Sequence, residues 1–316
     1  MKCTRCGKQN DYRTRQAKGG ACAKCSQTFA FEPRRGDPLT DLAFQNAISV
    51  VSENGRLAWL ERQLYYEVAR RARRRRLFHR LTRRAHVSID DRTFASLLAR
   101  WIRAYGFPQG RLDPNGFAVD IRAGQRATDA AEYGFERLLV CDSDDIVDLL
   151  LANGFHGDHK CAVLSASGYP AWAYELLMPR FREAPPASIV VLHDADVAGC
   201  RLAGEVKSGS RWFGGVENVE VVDAGLRPGD ATRFRGVYLD GSAADVLTDR
   251  VSVDEAKWLA KHRLELEAAP PRALLAVLAG ILIRREADPP REDGDDGGWW
   301  GAGPWSGDGD GDDSVG

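Results

Sequence analysis

The sequence predicts an α/β domain built on a parallel sheet, preceded by a basic helical domain and by a small cysteine-bound ribbon. Three observations carry this expectation. Two Cys-x-x-Cys pairs open the chain, a basic stretch with helical periodicity follows, and from Glu132 short apolar runs alternate with helical ones. The 316 residues leave room for more than one domain, and 44% hydrophobic residues supply cores for them.

Cys3, Cys6, Cys22 and Cys25 stand as C-x2-C, a fifteen-residue gap and C-x2-C. Each pair fits a tight knuckle that turns two thiolates to one side, so the two pairs complete a tetrahedral Zn(II) shell with no position left for water. That makes the zinc structural, and residues 1–30 are expected as a zinc ribbon. Seven cysteines, an odd number, with Cys141, Cys161 and Cys200 scattered in apolar segments, argue for reduced thiols. The opening MKCTRCGKQN has no apolar signal region, and no apolar run nears the eighteen or so residues of a membrane span. A cytoplasmic, nucleoid-associated protein with no membrane partner is expected.

The net charge of -1 hides two opposite halves. Residues 1–126 hold 26 Lys/Arg against 11 Asp/Glu, and the rest holds 18 against 34. A basic front half suits a polyanion partner. EPRRGDPLT reads as a linker, and from Leu39 the pattern turns helical. Leu57, Leu60, Leu64 and Val68 form an apolar stripe, with Arg62 and Tyr66 four apart on another face. Arg70, Arg71, Arg73, Arg74, Arg75 and Arg76 crowd together behind them as candidate phosphate contacts. A second helix, capped by Asp90 or Asp91 and stopped by Gly106, leads to the hairpin-like GFAVDIRAGQRA. Helix, helix, hairpin is the order of a winged helix, expected over residues 31–127.

In the domain expected over 128–285, FERLLVCD, KCAVLSAS, SIVVLHDAD and VENVEVVDAG read as strands with helices between them. Functional residues of such sheets gather at the carboxyl ends of the strands, where Asp142, Asp194 and Asp196 fall. Three carboxylates at one edge suit a hard divalent ion such as Mg(II), with phosphate oxygens as further ligands. The competing reading makes them helix caps: Asp196 for the following helix, Asp142 or Ser143 for the one after the first strand. Two further helical stretches are expected at Val253 to Ala268 and Pro271 to Arg285. The last thirty-one residues carry ten acidic groups and nine glycines, a composition that buries no core, so 286–316 is expected as a disordered acidic tail.

LLVCD, LSASGYP and VVLHDADVAG, in that order, resemble the Toprim fold of the topoisomerase VI A subunit and its meiotic double-strand-break relative. Gly168-Tyr169-Pro170 and Asp194, Asp196 and Gly199 match that family's elements, and Arg62-Gln63-Leu64-Tyr65-Tyr66 is similar to its nucleophile motif. Gly225 to Asp230 and the LELEA segment add to the likeness, which covers about Leu39 to Arg285. The resemblance implies DNA cleavage by Tyr66 through a 5′-phosphotyrosyl link, Arg62 steadying the phenolate or phosphate, and Mg(II) on Asp142, Asp194 and Asp196. It also implies a homodimer in which the tyrosine of one subunit meets the metal site of the other, and a separate ATPase subunit. Tyr65 is expected to pack. The chain departs from the family in Asp142, where Glu is usual, and in Ala171 to Glu175, which lack the expected arginine. Two alternatives follow: a DNA-binding protein with a degenerate Toprim domain that does not cut, and a metal-dependent nuclease that uses water.

Overall fold

The computed structural model describes residues 1–74, 89–113, 135–232, 238–241, 251–287 and 300. Its centre is a four-stranded parallel sheet of order β2-β1-β3-β4, made of β1 (Arg137–Cys141), β2 (Cys161–Ser165), β3 (Ser188–Leu192) and β4 (Val221–Gly225). β2 and β3 are buried along their whole length, as a sheet covered on both faces requires. Side chains alternate across it. Leu138, Val140, Ile189 and Val191 face one core with α7 (Ala171–Glu183) and α8 (Gly199–Ser208). Leu139, Cys141, Val190 and Leu192 face the other.

That second core does not stop at the sheet. It takes in α5 (Asp144–Ala152), the short α6 (Phe155–Asp158), α10 (Pro271–Ala287) and the amino-terminal helices. α2 (Asp41–Val51) is capped by Thr40, and α4 (Asp91–Tyr105) by Asp90, whose carboxylate accepts from Thr93 N–H; Gly106, at φ 87°, ends α4. The pattern and caps of α4 were legible. The stripe beginning at Leu57 was not wholly helical: α3 spans Glu61–Arg74, and Trp59 instead pairs through its backbone with the 110–112 segment. Of the helix–helix–hairpin order, the two helices stand as described; the hairpin expected within 116–127 and Arg75 and Arg76 lie outside the described residues.

The ribbon joins the same body. α1 (Tyr12–Ala17) bridges its two knuckles, and Gln27 donates to the Ala104 carbonyl at the end of α4. Buried Asp41 accepts from Ala30 N–H, Phe31 N–H and the Tyr105 hydroxyl, so one carboxylate ties ribbon, α2 and α4 together.

The helix expected at Val253 to Ala268 is corrected. Only α9 (Val253–Leu259), with a Ser252–Glu255 capping box, is α-helical, and a short 3-10 turn follows at Leu266–Ala268. Beyond it the chain extends: β6 (His262–Arg263) pairs with β5 (Leu239–Asp240), and Leu264 exchanges backbone hydrogen bonds with Ala195 at 2.8 and 3.2 Å. Pairing with the loop after β3 outweighs the helical propensity of LELEA. In the acidic tail Trp300 departs from the expected disorder: it is buried, and its indole N–H donates to the Ala224 carbonyl at 2.8 Å. No helix among the described residues is long and apolar enough to cross a membrane.

Candidate active site

The cysteine ribbon forms as its spacing predicts. The four Sγ atoms lie within 4.8 Å of one another, with Cys3–Cys25 at 3.7 Å and Cys6–Cys22 at 3.6 Å, and all are free thiols. These separations match the about 3.8 Å edge of a tetrahedron whose metal–sulfur bonds are about 2.3 Å. Two matching turns build it: Gly7 N–H donates to the Cys3 carbonyl and Ser26 N–H to the Cys22 carbonyl. Asn10 fastens the turns together, donating to Cys22 Sγ and accepting from Ala23 N–H. The cluster is compatible with a zinc site and, having four protein ligands, with a closed one.

The second cluster lies at the carboxyl edge of the sheet. β1 and β3 are neighbours in register, so the residues that follow them meet. Asp142 Oδ2 accepts from Asp194 N–H at 2.6 Å, while Asp142 Oδ1 is buried with no hydrogen-bond partner. Burial pushes the Asp142 carboxyl up to about 6, against the pull of the Asp194 N–H and His193. Asp194 is raised well above the carboxylate range by burial and by Asp142 and Glu267. Its Oδ1 accepts from Leu266 N–H at 2.8 Å. Asp196 does something else: it caps α8, accepting from Gly199 N–H at 2.7 Å. The three aspartates do not draw together as a set; among the described residues, only the four cysteines bring at least three ligand atoms within 4.8 Å of one another.

His193 supports this edge from below. It is fully buried, bonded to the Asp194 carbonyl through Nδ1 at 2.7 Å and to Asp223 through Nε2 at 2.8 Å. Burial would discharge the ring, but Asp223 outweighs it and raises the pKa. Gly199 is required by the same packing, because a Cβ would strike the Asp194 carbonyl oxygen and come within 2.7 Å of His193 Nδ1.

Tyr66 is buried to 0% exposure on α3, and its hydroxyl donates to Glu265 Oε2 at 2.8 Å. Burial, then the Glu265 charge, raises its pKa, so the phenol is held protonated. Arg62 grips the same carboxylate, Nε to Oε2 at 2.6 Å and Nη2 to Oε1 at 3.2 Å, and reaches Asp91 with Nη1 at 2.6 Å. The Arg62 guanidinium is therefore engaged with two acids rather than with the phenol oxygen. Tyr65 packs as expected, its hydroxyl on the Ile89 carbonyl and its ring edge-on to Phe94.

Nor are the first arginines of the basic run free. Arg70 pairs with Glu67 and donates to the Ala268 carbonyl, and Arg71 pairs with Glu67 and donates to the Asn46 carbonyl. Arg73 and Arg74 lie in the last turn of α3. The Gly168-Tyr169-Pro170 turn sits after β2, with the Tyr169 hydroxyl on Asp148.

Glu265 and Glu267 are the members of this edge that carboxylate spacing alone could not assign. Glu267 is raised to about 7 by burial, by Glu265 and by Asp142. The signal was LELEA, an unusual acid alternation, and its meaning depends on the extended run 262–265 that delivers it to Asp194. No protein-family model and no curated protein matches this chain.

Proposed function

We propose that this chain binds double-stranded DNA and cleaves a strand through Tyr66 with Mg(II), in the manner of the topoisomerase VI A subunit it resembles. One observation carries the reading. Tyr66, on a helix of the basic front half, and Asp194, at the sheet edge, are both bonded to the dipeptide Glu265–Leu266, Tyr66 through the Glu265 carboxylate and Asp194 through the Leu266 N–H. The nucleophile motif and the acid edge, which the sequence offered as separate resemblances, are thus held on neighbouring residues.

The donor set at the edge suits a cation. Asp142 Oδ1 is a buried carboxylate oxygen with no partner, and Asp194 is crowded by acids, so Asp142 and Asp194 would hold Mg(II), with Asp196 on the same loop. When bound, the ion supplies charge stabilisation to a phosphate oxygen. The chain's own residues do the rest: Tyr66 provides the oxygen that attacks phosphorus, Arg62 exchanges a carboxylate for a phosphate, and His193 fixes the Asp194 loop. Zinc in the four-cysteine ribbon is structural. Because Tyr66 is fully buried, cutting requires α3 to part from residues 265–269, which Gln63 and Arg70 also hold through the Ala269 and Ala268 carbonyls. A homodimer and a separate ATPase subunit complete the proposal by resemblance.

A second reading, DNA binding without cutting, is favoured by that burial and by the use of Asp196 as a cap. Supercoiled plasmid incubated with Mg(II) or Mn(II), then denatured with and without protease, separates them. The proposal expects nicked or linear DNA bound covalently to protein, lost in Tyr66→Phe. Intact plasmid leaves the binding module, and breaks without trapped protein would indicate water as the nucleophile.

A further inference from the structure

We infer that the cysteine ribbon is itself a contact for double-stranded DNA, its exposed cations, Arg5 and Lys24 foremost, meeting backbone phosphates. This rests on the DNA-binding part of the reading above and is independent of cleavage. Residues 1–30 carry seven Lys/Arg against one acid. Arg15 is buried and spent on Glu32, and Asp11 is spent on capping α1, where it accepts from Thr14 N–H at 2.7 Å. The other six cations, Lys2, Arg5, Lys8, Arg13, Lys18 and Lys24, are exposed and make no ion pair among the described residues. Four thiolates on Zn(II) take two charges from that excess and leave it positive.

The two knuckles repeat one another. Cys3 N–H donates to the Lys8 carbonyl and Cys22 N–H to the Gln27 carbonyl, and backbone bridges join Lys2 to Gln9 and Ala21 to Thr28. Gly7 and Ser26 take the same left-handed conformation, at φ 72° and 58°. In that repeat Arg5 and Lys24 fall on the same place, one residue before the second thiol of each knuckle. Backbone bonds close both turns, so neither cation is needed to form them. A charge set twice at equivalent positions, without an acid to meet it, suits a regularly spaced polyanion. A protein partner would want an apolar centre, and among the described residues no large apolar side chain of the ribbon is exposed.

The ribbon is also placed for a duplex. Arg70 and Arg71, at the front of the basic run on α3, are paired with Glu67, whereas the ribbon's six cations are unspent. Gln27 fastens the ribbon to Ala104 at the carboxyl end of α4, while Arg62 meets Asp91 at its amino end. Fifteen helical residues separate the two by about 22 Å, the length of about six base pairs. One duplex lying along α4 would touch both.

The test uses the full zinc-loaded chain and a fluorescent duplex of about 30 base pairs, with affinity read by anisotropy between about 50 and 300 mM NaCl. Arg5→Gln with Lys24→Gln removes two cations and keeps long polar side chains. This pair should weaken binding roughly 10- to 60-fold at about 0.1 M NaCl and lower the slope of log affinity against log salt by about 2, with zinc content unchanged. Arg180→Gln with Lys207→Gln, exposed cations on α7 and α8, should alter neither affinity nor slope. Wild-type affinity and slope in the ribbon pair overturn the inference. Equal loss in the α7–α8 pair also overturns it, because the effect is then the field of the whole chain rather than a contact. Should the ribbon pair lose zinc, Arg13→Gln with Lys18→Gln, outside the knuckles, carries the same expectation and the same refutation. Failure of wild type to bind any duplex is distinct: it removes the DNA-binding reading itself and this inference with it.

Discussion

The cysteine ribbon and the acidic sheet edge both crowd anionic ligand groups into a small space, and they relieve the crowding differently. In the ribbon all four thiol sulfurs turn inward on one centre, from two knuckles of the same design. At the sheet edge each carboxylate is partly spent on a backbone N–H: Asp142 on Asp194, Asp194 on Leu266, Asp196 on Gly199. His193, its pKa raised by Asp223, is bonded to the Asp194 carbonyl. The ribbon has the form of a site made for one ion and nothing else. The edge has the form of one that holds together without an ion and keeps one oxygen, Asp142 Oδ1, in reserve. A structural metal calls for the first design, and the second is the one the proposed Mg(II) would have to enter.

Removing the ribbon's metal should have the largest effect. Chelation, or Cys22→Ser, is expected to release one zinc per chain in a colorimetric assay. It should also destabilise the fold by several kcal/mol, since structural zinc contributes on the order of 10 kcal/mol to such modules. The loss should spread to α2 and α4 through Asp41, which hydrogen exchange of those helices would read. If the helices melt at their normal temperature without metal, the ribbon is an independent appendage and the comparison fails.

At the sheet edge the sign should reverse. Asp142 is raised from about 3.9 in the unfolded chain to about 6 when folded. The folded state therefore binds the extra proton, and stability is greatest below the unfolded value and falls as pH rises through about 6. Asp142→Asn removes that penalty and should stabilise the metal-free protein at pH 7 by roughly 1–3 kcal/mol, with little gain at pH 4. Mg(II) should raise the melting temperature of wild type and leave Asp142→Asn unmoved. Destabilisation by the amide at pH 7 would mean that the carboxylate charge is already compensated.

Asp196 offers the smallest and sharpest contrast. As a cap its replacement by Ala should cost about 1 kcal/mol in a denaturant melt. If capping is its whole role, the Mg(II)-induced shift in melting temperature survives in Asp196→Ala; if the shift disappears, Asp196 turns to the ion on binding and belongs with Asp142 and Asp194.

The parts of the molecule that were legible in sequence have local causes. Cys-x-x-Cys spacing forms its knuckle within a few residues, Asp90 and Gly106 bound α4 by their own caps, and the apolar runs of β1 to β4 alternate with helices that serve as the crossovers of a parallel sheet. The errors have non-local causes. LELEA looks helical until Leu264 pairs with Ala195, sixty-odd positions earlier, and Trp300 sits in a segment whose composition promises no core yet fits against β4. One apolar core joins α3 and α4 to one face of the sheet, a packing that no local pattern announces.

By itself, then, the sequence determined which chemistry is available: four thiolates at zinc spacing, aspartates behind two strands of one sheet, and an arginine and a tyrosine one helical turn apart. Period and spacing act over a few residues, and they are written in the chain. Which groups meet was decided only by the tertiary structure. The run between α9 and α10 leaves its helix to pair at Leu264 with the loop after β3, and so brings Glu265 to Tyr66, about two hundred positions away, and Leu266 to Asp194, a meeting that no local pattern encodes.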